Sequence, residues 1–518
     1  MQSPWGDEVV AGEYGGHPGL VYGRRPRTFA ELLFGVDRWS DRTFLVQGDR
    51  RFTFAEFFTA VAHAREHLTP FGIRPGDRVM LLAYNSPDWV LALWSIWSCG
   101  AVPVLGNRWW SERETEHSIS LVEPRMVITD SPEVAGLDIS RLRDCFAGGS
   151  AGLPGIAGPA DEEAPAVVLF TSGSTGMPKA VELPFRSLVA NQQNVLARAR
   201  QLPHQIPADG PRPVNLISTP LFHIGAFATL ITQVITGGTI VFNTGRFDPA
   251  QVLALIESER VERWGAVPTM AARLLEHPDF ESRDLSSLRA FPLGGAPVPP
   301  VLLERLARAL PQLQGRGMVN TWGMTEGGGF FTLATGADLE RFPTTVGRPF
   351  PTVELSIGEA DAHGKGEILV RSPSVMLGYI SADDGTVDPQ GWLRTGDLGH
   401  INDEGYLFID GRSKDMVIRA GENIACPHVE AALMRHPDVV EAAAIGLAHP
   451  DLGEELAAVV VHRPGGRVPT EYELTRHMAG EVAYFAVPSR WIIRAEPLPT
   501  VGTEKIDKKS LAREFAPD

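Results

Sequence analysis

Cysteine is scarce in this sequence: three residues, Cys99, Cys145 and Cys426, among 518. Odd in number and far apart, they exclude a disulfide framework and point to a reducing compartment. A basic surplus is also missing. Lysine and arginine number 47 against 63 acidic residues, a formal net charge of −16, which argues against a nucleic-acid partner. The opening MQSPWGDEVV has neither the basic start nor the apolar stretch of a signal peptide. Nor is there an unbroken run of membrane length. The charge-free stretch from Trp89 to Asn107 contains Ser95, Ser98, Gly100 and Pro103. It divides into a helix ending near Cys99–Gly100 and a strand from Ala101 to Leu105, buried as α/β core. No internal repeat recurs at a fixed period. We therefore expect a cytoplasmic protein with no transmembrane segment.

What is present is a long chain, 43% hydrophobic, too large for one core and expected to form two or more domains. Short β-rich runs alternate with amphipathic stretches, the pattern of parallel sheets covered by helices. Strands are expected over Val79–Ala83, Met126–Thr129, Ala166–Phe170, Val214–Ser218, Thr239–Phe242 and Leu288–Leu293. Helices are expected over Phe54–Leu68, Phe185–Arg200, Ala226–Ile235, Pro249–Ser258 and Pro300–Leu310. The segment Ala147–Pro165, rich in Gly, Ala and Pro, reads as an exposed connector. After Phe350 short strands separated by Gly and Asp turns suggest a β-rich subdomain. Past Gly411 a compact mixed segment has the size of a small domain.

The connector leads into Leu169–Ala180, LFTSGSTGMPKA. Glycine- and serine-rich runs are ordinary turns, but this one sits between an expected strand and an expected helix, where α/β folds bind ligands. Its glycines, hydroxyls and lysine suit a phosphate cradle. It is not a Walker A loop, because Met177 and Pro178 separate the last glycine from Lys179. A second pattern, His63-Ala-Arg-Glu66-His67, matches a zinc-peptidase signature. It falls largely off the apolar stripe Phe54, Phe57, Phe58, Val61 and Leu68, so a solvated helix face accounts for it.

Four further stretches decide the reading. Asn320-Thr-Trp-Gly-Met-Thr-Glu-Gly327 follows a strand-like run, and Arg394-Thr-Gly-Asp-Leu398 precedes a β-rich hairpin. Gly411-Arg-Ser-Lys-Asp415 opens the last segment, with Ala420-Gly-Glu-Asn-Ile424 close behind, and Gly502-Thr-Glu-Lys-Ile-Asp507 lies near its end. Together with the loop, in this order, they resemble the adenylate-forming superfamily of acyl- and aryl-CoA synthetases, peptide-synthetase adenylation domains and luciferases. The resemblance runs from about Phe29 to Leu511.

It implies an α/β fold: a large N-terminal domain (1–411) of two α/β sheets plus a β-rich subdomain, then a small mobile α+β C-terminal domain (412–518). It also implies a two-step reaction. ATP activates a carboxylic acid as acyl-AMP with release of pyrophosphate, and a thiol then displaces AMP. By resemblance, Thr171, Ser172, Gly173, Ser174, Thr175, Gly176 and Lys179 cover the departing pyrophosphate. Thr325 bonds the α-phosphate, and Glu326 holds Mg²⁺. Asp397 accepts both ribose hydroxyls with help from Arg412. Gly294, Gly295 and Ala296 pass against adenine, and Trp322 stacks on it. Lys505 is the adenylation lysine, and Lys414 the hinge about which the small domain turns.

Two departures stand out. The family often has glycine just before the terminal lysine, where this chain has Glu504, whose carboxylate would either reduce the charge on Lys505 or face solvent. Ala420 replaces the first glycine of a Gly-Gly-Glu-Asn motif, and its methyl would narrow the path of the pantetheine arm beside Gly421. Pro220-Leu-Phe-His223-Ile-Gly-Ala-Phe227 resembles the stretch lining the acyl pocket, with His223 near the reacting carboxylate. Amino-acid-activating relatives carry Asp at that position. The other expected lining residues, Phe227, Val267, Met270, Thr321, Gly323, Met324 and Phe330, offer no charge partner, so an uncharged fatty, aromatic or alicyclic acid is expected. With thirteen residues after Lys505 there is no room for a fused carrier domain, so coenzyme A is the expected acceptor. The alternatives are a ligase loading a separate carrier protein, luciferase-like oxygenation, and a catalytically silent nucleotide-binding regulator. Sequence gives no oligomeric state.

Overall fold

A computed structural model of the protein describes residues 3–147, 158, 161–172, 177–315, 317–380, 385–412, 416–420, 422–502 and 504–515. The helices begin where sequence chemistry allows. Thr53 and Glu56 form a reciprocal capping box before Phe54–Leu68, and Ser86 caps Pro87–Ser98 with a proline in its first turn. These side chains satisfy amide groups that a helix start leaves without partners.

Two sheets form the α/β part. The first has the order Gly378–Tyr379, Pro178–Pro184, Pro165–Ser172, Val102–Leu105, Arg78–Leu82, Met126–Thr129 and Leu137–Asp138. It is parallel except at the two strands before Pro165–Ser172 in that order, which pair antiparallel. The second runs Arg263–Trp264, Val214–Ile217, Thr239–Phe242, Thr43–Gln47 and Arg50–Thr53. A third, eight-stranded and mainly antiparallel, contains Phe291–Gly294, Met318–Met324 and Gly329–Thr335 at one end. Leu393–Ile401 and Leu407–Arg412 lie toward the other. The C-terminal residues build a separate sheet of Glu422–Ala425, Met416–Arg419, Gly453–His462 and Val439–His449, with Arg490–Arg494 parallel to Gly453–His462. Helices Cys426–Leu433, Glu471–Ala479 and Lys508–Glu514 accompany that sheet, which has apolar cores of its own.

The charge-free stretch forms helix Pro87–Ser98 from Trp89 onward, followed by strand Val102–Leu105, and every residue of that helix is buried. No helix among the described residues is long and apolar enough to cross a membrane. The expected strand over Leu288–Leu293 starts three residues later, at Phe291. Leu288 is buried, but its N–H closes a turn onto Leu285, so apolarity there reflects packing rather than extension. His63 and His67 lie on helix Phe54–Leu68, where His67 Nδ1 meets the His63 carbonyl at 3.0 Å and His63 Nδ1 meets the Cys145 carbonyl at 3.4 Å. No cluster of three metal-binding side chains occurs among the described residues.

The buried helix anchors an aromatic cluster. Trp94 lies 5.1 Å from Trp97, 6.0 Å from Phe29 and 6.2 Å from Phe58, centroid to centroid, and is wholly buried. Trp94→Ala should cost about 3–5 kcal/mol through lost contacts and the cavity left behind. A denaturant titration by fluorescence checks this, and an unchanged first transition would show that the cluster collapses to refill the space.

Candidate active site

The cleft is assembled from turns at strand ends. Asp397, 4% exposed, lies in strand Leu393–Ile401 just after Gly396, whose φ of +70° suits glycine. Arg412 is its register partner across the hairpin. The Trp322 indole N–H donates to Oδ2 of Asp397 at 2.7 Å, and Arg412 Nε–H donates to Oδ1 at 2.8 Å. Each carboxylate oxygen thus has one protein donor and keeps a further acceptor site for a ligand hydroxyl. Trp322 is 9% exposed, its ring 5.2 Å from Phe331.

Trp322 belongs to strand Met318–Met324, which runs parallel to Phe291–Gly294 with Gly294 opposite Thr321. A Cβ on Gly294 would stand 2.7 Å from Thr321 Oγ1, and one on Gly323 only 1.9 Å from the Gly329 carbonyl oxygen. Both glycines therefore permit a close strand approach that other residues would block. After Met324 the chain makes a short 3₁₀ turn, Thr325–Gly327, that buries Glu326. The Tyr379 hydroxyl donates to the Glu326 carboxylate at 2.8 Å, and the Lys179 ammonium lies 4.5 Å from the centre of the Tyr379 ring. Tyr379 pairs with Val181, two residues after Lys179. It thereby ties the strand carrying that lysine to the acidic turn.

Lys505 enters from the C-terminal segment. Its ammonium is pushed down to about 8, first by burial between the cleft walls and then by Arg412, against the opposing pull of Asp397 and Glu326. More than a third of its surface nevertheless still meets solvent. A Cβ on Gly295 would be 3.8 Å from Lys505 Cε and 3.5 Å from Val267 Cγ1, so the lysine stem runs beside Gly295. His223 precedes helix Ile224–Thr236. Burial, and secondarily Lys505, push its imidazole down to about 3, opposed by the Gly502 backbone. It is neutral at physiological pH, and its Nε2 has no hydrogen-bond partner among the described residues.

The structure thus brings Lys179, Glu326, Trp322, Asp397, Arg412, Lys505 and His223 to one cleft, with Gly294, Gly295 and Thr321 in its wall. Gly323, Met324 and Phe330 retain partial exposure nearby, whereas Val267, Phe227 and Met270 are buried. Both Phe227 and Met270 belong to the apolar cores, Phe227 facing Trp97 at 6.1 Å. Thr171 and Ser172 end strand Pro165–Ser172 opposite Lys179 and Pro178. Gly173, Ser174, Thr175, Gly176, Lys414 and Gly421 lie outside the described residues.

Glu504 neither faces Lys505 nor stands free in solvent. Its carboxylate accepts from Arg273 at 3.2 Å and from the Thr500 hydroxyl at 3.0 Å. Tyr379, Trp109 and Arg273 were not visible as site residues in the sequence. Tyr379 sits in an unremarkable β-rich run. Trp109 left a faint signal, a Trp109–Trp110 pair in a polar turn; a Cβ on Gly502 would lie 2.7 Å from its ring, so this indole seats the lysine loop.

The chain matches the AMP-binding enzyme model over residues 35–380 and the model of the AMP-binding enzyme C-terminal domain over 428–505. It is 34% identical to a feruloyl-CoA synthase of Amycolatopsis over 91% of this chain and 96% of that one. It is 30% identical to a long-chain-fatty-acid–CoA ligase of Mycobacterium tuberculosis, over 90% and 94%. Among solved structures it resembles o-succinylbenzoate coenzyme A synthetase of Bacillus subtilis with ATP and magnesium ion. The TM-score is 0.77 at 28% identity, covering 93% of this chain and 98% of that one.

The Lys505 environment generates a pH prediction. Its folded pKa is lowered to about 8, so the ammonium is present below that pH and lost above it. The profile of kcat/KM reports the free enzyme. Acid-dependent ATP–pyrophosphate exchange should therefore show an alkaline limb near pH 8, falling about tenfold per pH unit. Lys505→Arg should move that limb out of range; a limb left in place would assign it to another group.

Proposed function

The chain belongs to the AMP-binding enzyme family, and from that membership we propose that its cleft activates an organic acid whose body carries no charge. It is an AMP-forming acid–thiol ligase: ATP and the acid give acyl-AMP and pyrophosphate, and coenzyme A then gives acyl-CoA and AMP. The observation that carries the acid assignment is the half-buried His223, its Nε2 enclosed and without a hydrogen-bond partner among the described residues, at the position where amino-acid-activating relatives carry Asp. An ammonium-bearing substrate would need a buried carboxylate there. Of the acids that the relatives' names give, ferulic and long-chain fatty agree with an uncharged body, whereas o-succinylbenzoate carries a second carboxylate.

The residue roles form part of the proposal. Asp397 accepts the ribose hydroxyls with its two remaining acceptor sites, and the Trp322 and Arg412 donors fix its carboxylate in place. Trp322 and the strand ending at Gly294 and Gly295, followed by Ala296, frame adenine. Lys505 stands between the acid carboxylate and the α-phosphate, where it offsets the charge that gathers as the oxygen attacks. Thr325 bonds that phosphate, and Lys179 with Thr171 to Gly176 covers the pyrophosphate. Glu326 fits Mg²⁺: one buried carboxylate, with no surrounding cage among the described residues, suits a cation that keeps waters and phosphate oxygens as its other ligands, and when bound it neutralises phosphate charge. We place the boundary between the two domains at 411/412 and the hinge at Lys414, and the enzyme in the cytoplasm.

A panel of fatty, aromatic and alicyclic acids with ATP and Mg²⁺ tests the reading. Pyrophosphate should appear only with an accepted acid, and AMP turnover should require added coenzyme A. Absence of both across the panel would leave a silent nucleotide binder, and acyl-AMP without transfer to coenzyme A would favour a carrier protein as acceptor. Within this frame Glu326→Gln should raise the Mg²⁺ needed for half-maximal pyrophosphate release by about tenfold or more; an unchanged requirement would remove Glu326 from the metal. Lys414→Pro should spare adenylation and slow thioester formation, because proline fixes φ near about −65° at a residue that must rotate. Lys414→Ala should do much less, and wild-type acyl-CoA formation by the proline variant would refute the hinge.

A further inference from the structure

Glu504 precedes the adenylation lysine and holds a φ of +56°, a left-handed conformation in which a side chain is strained. Such a residue persists only where its surroundings hold it in place. Here the holding groups come from helix Pro268–Leu275, which belongs to the large N-terminal part and begins just after Val267 of the cleft wall. The Thr269 hydroxyl donates to the Glu504 carbonyl at 2.5 Å. Arg273 spends its whole guanidinium on the C-terminal part. Nη1 bonds the Glu504 carboxylate at 3.2 Å, Nη2 the Leu498 carbonyl at 2.9 Å, and Nε the Glu441 carboxylate at 3.1 Å. Glu441 closes the network by accepting the Leu498 N–H at 2.8 Å. Inside the loop, Glu504 N–H bonds the Val501 carbonyl at 2.7 Å, and Val501 N–H bonds the Lys505 carbonyl at 2.8 Å. The same helix end makes a second link, Arg463 to Glu276 at 3.0 and 3.1 Å.

We propose that Arg273 and Glu504 are a positioning pair: they fix the backbone on which Lys505 enters the cleft, favour the first half-reaction, and must part when that lysine withdraws. The pair touches no substrate and acts through Lys505. The groups that set the Lys505 charge are Arg412, Asp397 and Glu326, while the Glu504 carboxylate is turned to Arg273. The side chains are mostly enclosed, 22% exposed for Arg273, 18% for Glu504 and 8% for Glu441, so solvent screens the contact less than it would an open surface pair. The inference rests on the adenylation role given to Lys505 above.

The test is a double-mutant cycle on the full chain with Arg273→Met, Glu504→Gln and both together, adding Arg273→Lys for partial rescue. ATP–pyrophosphate exchange measures the first half-reaction, and thioester formation from supplied acyl-AMP and coenzyme A the second. Arg273→Met should lower the exchange kcat about ten- to a hundredfold with KM for ATP within about twofold, and leave thioester formation unchanged or faster. Glu504→Gln should act in the same direction, and the double variant should be no worse than Arg273→Met alone. Equal loss of both half-reactions, additive effects, or unchanged exchange would overturn the pair. Hydrogen exchange over 498–507 supplies an arm that needs no turnover. It should quicken severalfold in Arg273→Met and in Glu504→Gln, and unchanged protection counts against the pair. If the wild-type chain exchanges pyrophosphate with no acid, the functional reading fails, and this arm still judges the contact.

Discussion

The Lys505 ammonium is carried by one part of the chain and surrounded by another, and the rest of the site depends on keeping it there. Arg412, Asp397, Glu326 and His223 all feel its charge, yet each is positioned by elements far from it in sequence. Lys505 loses part of its solvent on entering the cleft, which lowers the pKa of its ammonium, an effect moderated by the more than a third of its surface that stays exposed. The insertion is therefore unfavourable for the ammonium alone and must be supported by contacts elsewhere. Those contacts are the seating of Gly502 on Trp109 and the bonds from helix Pro268–Leu275 to the loop. Anionic phosphates would reverse the balance, since a nearby negative charge favours the protonated amine.

The same logic explains how a chain of net charge −16 can hold a polyphosphate. Net charge governs solubility and long-range steering, not the potential inside a cleft with low-dielectric walls. Within the site the acidic groups are engaged: Asp397 by Trp322 and Arg412, Glu326 by Tyr379. The cations are placed at separate points, Lys179 against an aromatic ring and Lys505 beside Gly295. A phosphate chain can then be met along its length rather than at one end.

Most of this framework was legible in the sequence because its signals are local. Helix Phe54–Leu68 declared itself by the apolar stripe Phe54, Phe57, Phe58, Val61 and Leu68, and strand Thr239–Phe242 as a short β-rich run. The ordered motifs gave Asp397, Glu326 and Lys505 together. What escaped was long-range. The strands Thr43–Gln47 and Arg50–Thr53 lie in a stretch whose hydrophobic pattern was not assigned; the first is placed by pairing with Thr239–Phe242 almost two hundred residues later, and the second pairs with the first. Tyr379 and Arg273 sit in no motif, and only tertiary contact reveals their partners.

The two departures from the family pattern have one physical description. Ala420 has a φ of +51° and Glu504 one of +56°, so both occupy backbone where glycine is at ease. A left-handed non-glycine residue costs of order 1–3 kcal/mol unless the surrounding structure holds it. Ala420 is held by its N–H bond to the Leu452 carbonyl at 2.8 Å and gains no polar side-chain contact. Glu504 is different, because its side chain supplies contacts glycine could not make, to Arg273 and Thr500. The same backbone geometry is thus accepted at two places for unlike returns. At Ala420 the gain is limited to a methyl group and a stiffer turn; at Glu504 it is an ionic tie between the lysine loop and the body of the enzyme.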